Sequence, residues 1–315
     1  MKWTTPVSIP EQHALVNYSA PTVFMGSCFS EHIAAMFRKM CLPSHANPFG
    51  IVFHPLAIER LITFAVNQQE IGSEDIFENN GIWNSFLAHS KMYGDFPGEF
   101  STTLNGAVRE LHHNLVNARH LVITYGTAWV YRHIESDQIV ANCHKLPNKR
   151  FLKELLSPDQ VAQSLEASIA LVKTINPEII VITTVSPVRH IKDGLVENAR
   201  SKAHLLAGIH DAIAPKDNVH YFPAYEIMMD ELRDYRFYKQ DLIHPNEQAI
   251  SFIWEKFKAV WFATETITTL NEVSQLKAAM AHKPIHPNSS NHKEFERQLA
   301  QKLAHFRAVN PHIDL

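Results

Sequence analysis

Two short runs constrain this chain most: Leu121-Val122-Ile123-Thr124-Tyr125 and Ile179-Ile180-Val181-Ile182-Thr183. Both are apolar almost throughout and lack the alternation of a strand with one wet face. Such strands lie inside a parallel sheet with helices over both faces. The surrounding periodicity agrees. Residues 22–26 read as a further strand, and 27–40 as a helix with Ile33, Met36, Phe37 and Met40 on one face. His54-Pro55 opens a helix to about 66, and 100–118 carries another. Residues 67–100 read as irregular, and Trp129–His133 and Gln138–Asn142 as short extended pieces. Ser157-Pro158-Asp159-Gln160 is a capping box that starts a helix, and Asn176-Pro177 ends it. Helices over 195–213 and 247–262 flank a short strand at 219–222. This alternation predicts an α/β fold, a doubly wound parallel sheet. The boundary predicted is a main domain over 1–265 and an accessory helical segment over 266–315. That segment has helices near 268–282 and 291–308, and the roles open to it are packing on the core, lining the site or homo-oligomer formation.

Composition removes several function classes. The 29 Lys+Arg against 32 Asp+Glu leave a net charge of −3, with no basic stripe, so no nucleic-acid partner is expected. No apolar run reaches the ~20 residues of a membrane span. The opening Met1-Lys2-Trp3-Thr4-Thr5-Pro6 has no apolar leader core, so the expected location is cytoplasmic. Cys28, Cys41 and Cys143 have no paired spacing and read as reduced thiols. Gly-x-Gly-x-x-Gly, P-loop, His-Glu-x-x-His and Gly-x-Ser-x-Gly are all missing, so neither a metal nor an organic cofactor is implied.

A doubly wound sheet binds ligands beyond the carboxyl ends of its strands. Gly26-Ser27, Gly126-Thr127 and Ser186 all fall there, and Asp241-Leu242-Ile243-His244 precedes the late helix. A serine nucleophile needs a base, and the base needs a group that fixes its tautomer. Ser27, His244 and Asp241 could fill those roles. Ser27 is equally an ordinary helix cap, and Cys28 could be a nucleophile or a packing residue. Asn142 and His144 share one face if their segment is a strand, which makes them site-lining candidates, whereas Cys143 and His144 face apart and would not share a metal. Arg189, His190, Lys192 and Lys202 read either as an anion-binding cluster or as a solvated loop.

These residues also carry a resemblance. Gly26-Ser27-Cys28-Phe29-Ser30 resembles the word that names the GSCFA family, with Ser30 where the name has Ala. Further words follow in order: Asn47-Pro48-Phe49-Gly50, Thr124-Tyr125-Gly126-Thr127-Ala128, Asn142-Cys143-His144-Lys145, Ser186-Pro187-Val188-Arg189-His190, Asn198 with Ser201-Lys202, and Tyr225-Glu226 through Asp241-x-x-His244. That family is similar to the SGNH (GDSL-type) hydrolases. The resemblance implies a flavodoxin-like three-layer α/β/α sandwich and the cleavage or transfer of acyl esters. It makes Ser27 the nucleophile, Gly50 the glycine block, Gly126 the start of the third block, and Asp241 and His244 the last block.

One departure bears on chemistry: Ala128 stands where the oxyanion-hole Asn is expected, with Asn47 and Asn142 as candidate substitutes beside the backbone N–H groups of Ser27 and Gly50. The expected function is a serine esterase or acyltransferase acting on a small or carbohydrate-linked ester. The alternatives are a non-catalytic carbohydrate-binding or assembly module and a cysteine-dependent acyl transferase that uses Cys28.

Overall fold

The computed structural model describes residues 4–13, 15–214, 218–286 and 288–315. Residues 1–3 of the opening run and Pro287 of the predicted tail linker lie outside the described residues. In chain order the strands are β1 (Thr22–Gly26), β2 (Ser44–Ala46), β3 (Ile76–Asn79), β4 (Ile82–Ser85), β5 (His120–Tyr125), β6 (Trp129–His133), β7 (Gln138–Val140), β8 (Phe151–Leu155), β9 (Ile180–Val185) and β10 (Val219–Tyr221). The helices are α1 (Cys28–Lys39), α2 (Pro55–Val66), α3 (Pro97–Asn117), α4 (Pro158–Ile175), α5 (Leu195–Ile213), α6 (Ala224–Glu226), α7 (Glu247–Trp261), α8 (Thr264–Met280) and α9 (Ser290–Val309). A π-helical stretch, Ile227–Glu231, continues α6.

The central sheet runs β10-β9-β5-β1-β2, and all its pairs are parallel. Counting its five strands in chain order, this is the flavodoxin-like order, in which the chain reverses direction across the sheet after its first strands. Successive strand residues point to opposite faces and build two cores. Val23, Met25, Leu121, Ile123 and Val181 pack under α2, α3, α4 and α5. Phe24, Val122, Ile180 and Ile182 pack under α1 and α7. Burying each such side chain contributes about 1.5–3 kcal/mol. The α1 face read from the sequence supplies Ile33 and Phe37, and Phe37 meets Phe24 edge-on at 4.9 Å.

One reading needs correction, and one strand goes unmentioned in the sequence analysis. Residues 67–100 are not wholly irregular. β3 and β4 form an antiparallel hairpin closed by Asn80-Gly81 at φ 55° and 79°, the left-handed pair that suits a two-residue hairpin loop. Phe151–Leu155 becomes a strand by pairing with β6, making a small antiparallel sheet β7-β6-β8. In the tail, α8 and α9 join Val273, Leu276, Phe306 and Ile313 in a cluster that Tyr18 and Cys41 pack against. Of the roles open to the tail, packing on the rest of the chain is the one observed. No described helix is long and apolar enough to cross a membrane.

Candidate functional site

The site is built where β1 runs into α1. Gly26 has φ 129°, and a Cβ there would lie 2.2 Å from the Thr124 carbonyl oxygen. Any side chain would therefore push β1 off β5. Ser27 follows, with its N–H donating to Thr124 O at 3.1 Å and its Oγ accepting from Phe29 N–H at 3.2 Å. It is the N-cap of α1 and is buried. Ser30 secures the helix start from below, donating to Thr124 Oγ1 at 2.7 Å. Asn47, left-handed at φ 46°, accepts the Gly26 N–H on its Oδ1 at 2.9 Å, which leaves its Nδ2 3.5 Å from Glu31 Oε1. Cys28 is half-buried, and burial, then Glu31, pushes its thiol up.

The Asp241–His244 loop stands just before α7. Asp241 Oδ1 accepts the N–H groups of Ile243 at 2.9 Å and His244 at 3.0 Å, and its Oδ2 sits 2.7 Å from His244 Nδ1. The His244 and Ile243 amides, then the His244 ring, hold the carboxyl down at about 2. An ionised acceptor at Nδ1 fixes the proton there and leaves the Nε2 lone pair outward. Leu242 is left-handed at φ 57°, a strain of about 1–2 kcal/mol for a residue with a Cβ. Arg189 N–H donates to Ile243 O at 3.4 Å and Lys239 N–H to His244 O at 2.8 Å, tying the loop to the segment after β9. Asp241 and His244 thus stand on the sheet edge that holds Ser27, and among the described residues no hydrogen bond joins His244 to Ser27 Oγ.

The third segment turns inward. Gly126 N–H donates to Phe53 O at 2.7 Å. A Cβ on Gly126 would meet Phe53 at 2.8 Å and His190 Nε2 at 3.1 Å. Thr127 Oγ1 and Ala128 N–H both engage Ser201 Oγ, at 2.9 and 2.7 Å, so Ala128 is buried and Thr127 is spent on structure. Lys202 is 1% exposed, and its Nζ donates to Gly126 O and Ser186 O at 2.7 Å each. Burial brings it down to about 7. The solvated-cluster reading therefore fails for Lys202, which clamps the ends of β5 and β9. His190 stacks on Phe53 at 5.1 Å, and burial, then Lys202 and His244, lowers it to about 3. It is a neutral imidazole, not a cation.

Two more expectations change on contact with the structure. The Gly50 N–H donates to Asn47 O at 2.8 Å, so both backbone donors expected for an oxyanion, those of Ser27 and Gly50, are already engaged. Asn142 and His144 do not share a strand face, because β7 stops at Val140. Asn142 Oδ1 accepts His144 N–H at 2.8 Å, and His144 Nε2 lies 2.7 Å from Ser85 O, where it knits the two small sheets together. The sequence reading missed Glu31, His32, Phe53, Lys239 and His89, which packs on Gly50. For Glu31 and His32 the signal was their place one turn beyond Ser27. Among the described residues no three His, Cys, Asp or Glu side chains are grouped to hold a metal ion.

A model of the GSCFA family matches residues 21–257, and one of the GSCFA domain protein, C-terminal domain, matches residues 273–315. No curated protein matches the chain. Among solved structures, a carbohydrate esterase family 3 from Talaromyces cellulolyticus is similar at 7% identity, covering 80% of this chain and 99% of that one, with a TM-score of 0.39. A Clostridium thermocellum family 3 carbohydrate esterase is similar at 8% identity, covering 81% and 98%, with a TM-score of 0.37. An acetyl xylan esterase from the rumen bacterium Butyrivibrio proteoclasticus is similar at 9% identity, covering 77% and 64%, with a TM-score of 0.40.

Proposed function

This chain belongs to the GSCFA family, and we propose that it is a serine ester hydrolase or acyltransferase acting on a small or carbohydrate-linked ester. The observation that carries the reading is the Asp241–His244 unit. A carboxylate held ionised by two amides grips Nδ1 at 2.7 Å, on a loop tied to the segment after β9, and Ser27 caps a helix at the end of β1 on the same sheet. In this reading His244 Nε2 takes the Ser27 Oγ proton as Oγ attacks the acyl carbonyl. The imidazolium that forms is stabilised by Asp241 and then protonates the leaving alkoxide. Water, or a second hydroxyl, enters by the reverse route and releases the acyl group. The missing hydrogen bond from His244 to Ser27 fits a resting site, since such bonds often tighten only with substrate.

Asn47 takes the place left by Ala128. Its Oδ1 is held by the N–H of Gly26, the residue before Ser27, and its NH₂ lies 3.5 Å from Glu31 Oε1, which it would leave for the oxyanion, whereas Asn142 is committed to the small sheets. The positive end of α1 adds to the same charge. Cys28 is a poor competitor, because burial raises its thiol rather than activating it. One observation favours a second reading, a non-catalytic carbohydrate-binding module: the Ser27 and Gly50 amides are engaged and Ala128 is buried. Turnover of short-chain acyl esters separates the two. Ser27→Ala and His244→Ala each lower kcat by about 10⁴-fold or more if the serine reading holds. Equal rates in wild type and Ser27→Ala would end it.

A further inference from the structure

We infer that Lys202 is a positioning residue for the proposed reaction: with Asn198 and Ser201 it holds the segments after β5 and β9 at the spacing that relates the His244 loop to Ser27. The inference rests on the esterase reading. It gives a role to three residues that the resemblance singles out and the reaction itself leaves unused. Asn198, Ser201 and Lys202 stand at i, i+3 and i+4 on α5, so they share one face, and all three are buried. Each commits its polar group to backbone at the site. Asn198 Oδ1 accepts His190 N–H at 2.8 Å, and Ser201 Oγ accepts Ala128 N–H at 2.7 Å. Lys202 Nζ donates to Gly126 O and Ser186 O at 2.7 Å each.

Lys202 acts where the sheet stops. The β5–β9 ladder ends with the pair Tyr125–Val185, and the Gly126 N–H turns away to Phe53 O. The next two carbonyls, Gly126 O and Ser186 O, meet on the Lys202 ammonium. On one side of this clamp, Thr124 O accepts the Ser27 N–H at 3.1 Å. On the other, three residues past Ser186, the Arg189 N–H donates to Ile243 O in the His244 loop at 3.4 Å. The clamp therefore lies on the path of backbone contacts that joins the nucleophile's strand to the loop of the base.

Stability alone is a poor reason for a lysine at this place. Among the described residues no carboxylate lies within ion-pair distance of Nζ. Taking an ammonium out of water costs about as much as its charge-assisted hydrogen bonds return, and an apolar side chain of similar volume would serve stability as well. What the ammonium adds is direction. Two of its three donors go to the two carbonyls, with the Tyr225 ring 5.7 Å away. Such a support fixes the relative place of a base and a nucleophile carried on different segments.

Lys202→Met tests this, since it keeps the length of the stem and removes the donors. His144→Ala is the control, a buried variant in the small sheets. Both are read by kcat and KM for phenyl acetate and by the exchange rate of the Arg189 amide hydrogen, which reports its bond to Ile243 O. The expected result for Lys202→Met is a kcat lower by about 10²-fold with KM within about threefold, because a small misplacement of the reacting groups costs that much. Arg189 exchange should be faster by about tenfold. His144→Ala should move neither. If kcat or Arg189 exchange stays at its wild-type value in Lys202→Met, the clamp is structural only and the inference is overturned.

Should Lys202→Met not fold, Asn198→Ala carries the test under the same rule. It frees the His190 N–H next to Arg189, so kcat should fall by about three- to tenfold and Arg189 exchange should quicken. Equal turnover by wild type and Ser27→Ala sinks the esterase reading, and Arg189 exchange then decides alone. Faster exchange in the variant keeps Lys202 as the support of the His244 loop, and unchanged exchange removes it.

Discussion

Two loops of this chain set a histidine on the same local device and use it in opposite ways. In each, an Asn or Asp side chain accepts backbone N–H groups two or three residues on, and a residue with a side chain sits left-handed. In the first, Asn142 holds His144 N–H at 2.8 Å, with His144 at φ 48° and Lys145 at φ 59°. In the second, Asp241 holds Ile243 and His244, with Leu242 at φ 57°.

The amide of Asn142 has no second acceptor oxygen, so nothing in the turn grips the ring, and His144 is buried against the Ser85 carbonyl. Burial lowers its affinity for a proton. The carboxylate of Asp241 has a second oxygen and a charge, so it grips His244 Nδ1, and that side chain stays 38% exposed. The turn orders the backbone in both loops. On the proposed function, the charge and the exposure single out His244, not His144, for the role of base.

Asp241→Asn makes the second loop resemble the first and should have the largest effect. It keeps the turn but removes the charge and can leave His244 in the wrong tautomer, so kcat for an acyl ester falls by about 10³–10⁴-fold. The melting temperature should move little, because the carboxylate is exposed. A rate within about threefold of wild type would show that the two loops do not differ as described.

His144→Ala tests the other side. It removes a buried ring and leaves the Ser85 carbonyl without its partner, at a cost of about 2–3 kcal/mol by urea unfolding. The folded fraction should keep its ester kinetics. A loss of kcat without loss of stability would return His144 to the site.

The smallest effect sharpens the comparison through pH. His54 is fully buried, accepts from Ala57 N–H and donates to Val140 O, and burial lowers it from 6.5 to about 4. With the folded value below the unfolded one, the unfolded chain binds the proton first. The stability is then complete above about pH 6.5 and lost as pH falls toward 4. One such proton contributes a slope of about 1.4 kcal/mol per pH unit. His54→Gln should flatten the decline of unfolding free energy between pH 6.5 and 4.5.

What the sequence could reveal of this molecule was whatever is local. Ser27, Asp241 and His244 were legible because an apolar strand, a helix start and a three-residue spacing announce them. The sheet was legible from Leu121–Tyr125 and Ile179–Thr183, whose burial on both faces requires helices above and below.

The fate of Gly126-Thr127-Ala128 was hidden because Ser201 and Lys202, more than seventy residues away, turn that segment inward. A lysine can be read as buried only once two strand ends bring their carbonyls together. Phe151–Leu155 follows the same logic. Its spacing suits a helix, and pairing with Trp129–His133 overrides that preference. The hairpin at Asn80-Gly81 was announced by its own turn residues and was passed over in a stretch read as punctuation.

The central claim is that Ser27 is activated by His244. Reaction of the folded protein with a fluorophosphonate, followed by mapping of the modified peptide, tests it most directly. The account predicts phosphonylation at Ser27 that disappears in His244→Ala. A folded protein that stays unmodified at Ser27, or one whose labelling survives His244→Ala unchanged, would contradict it.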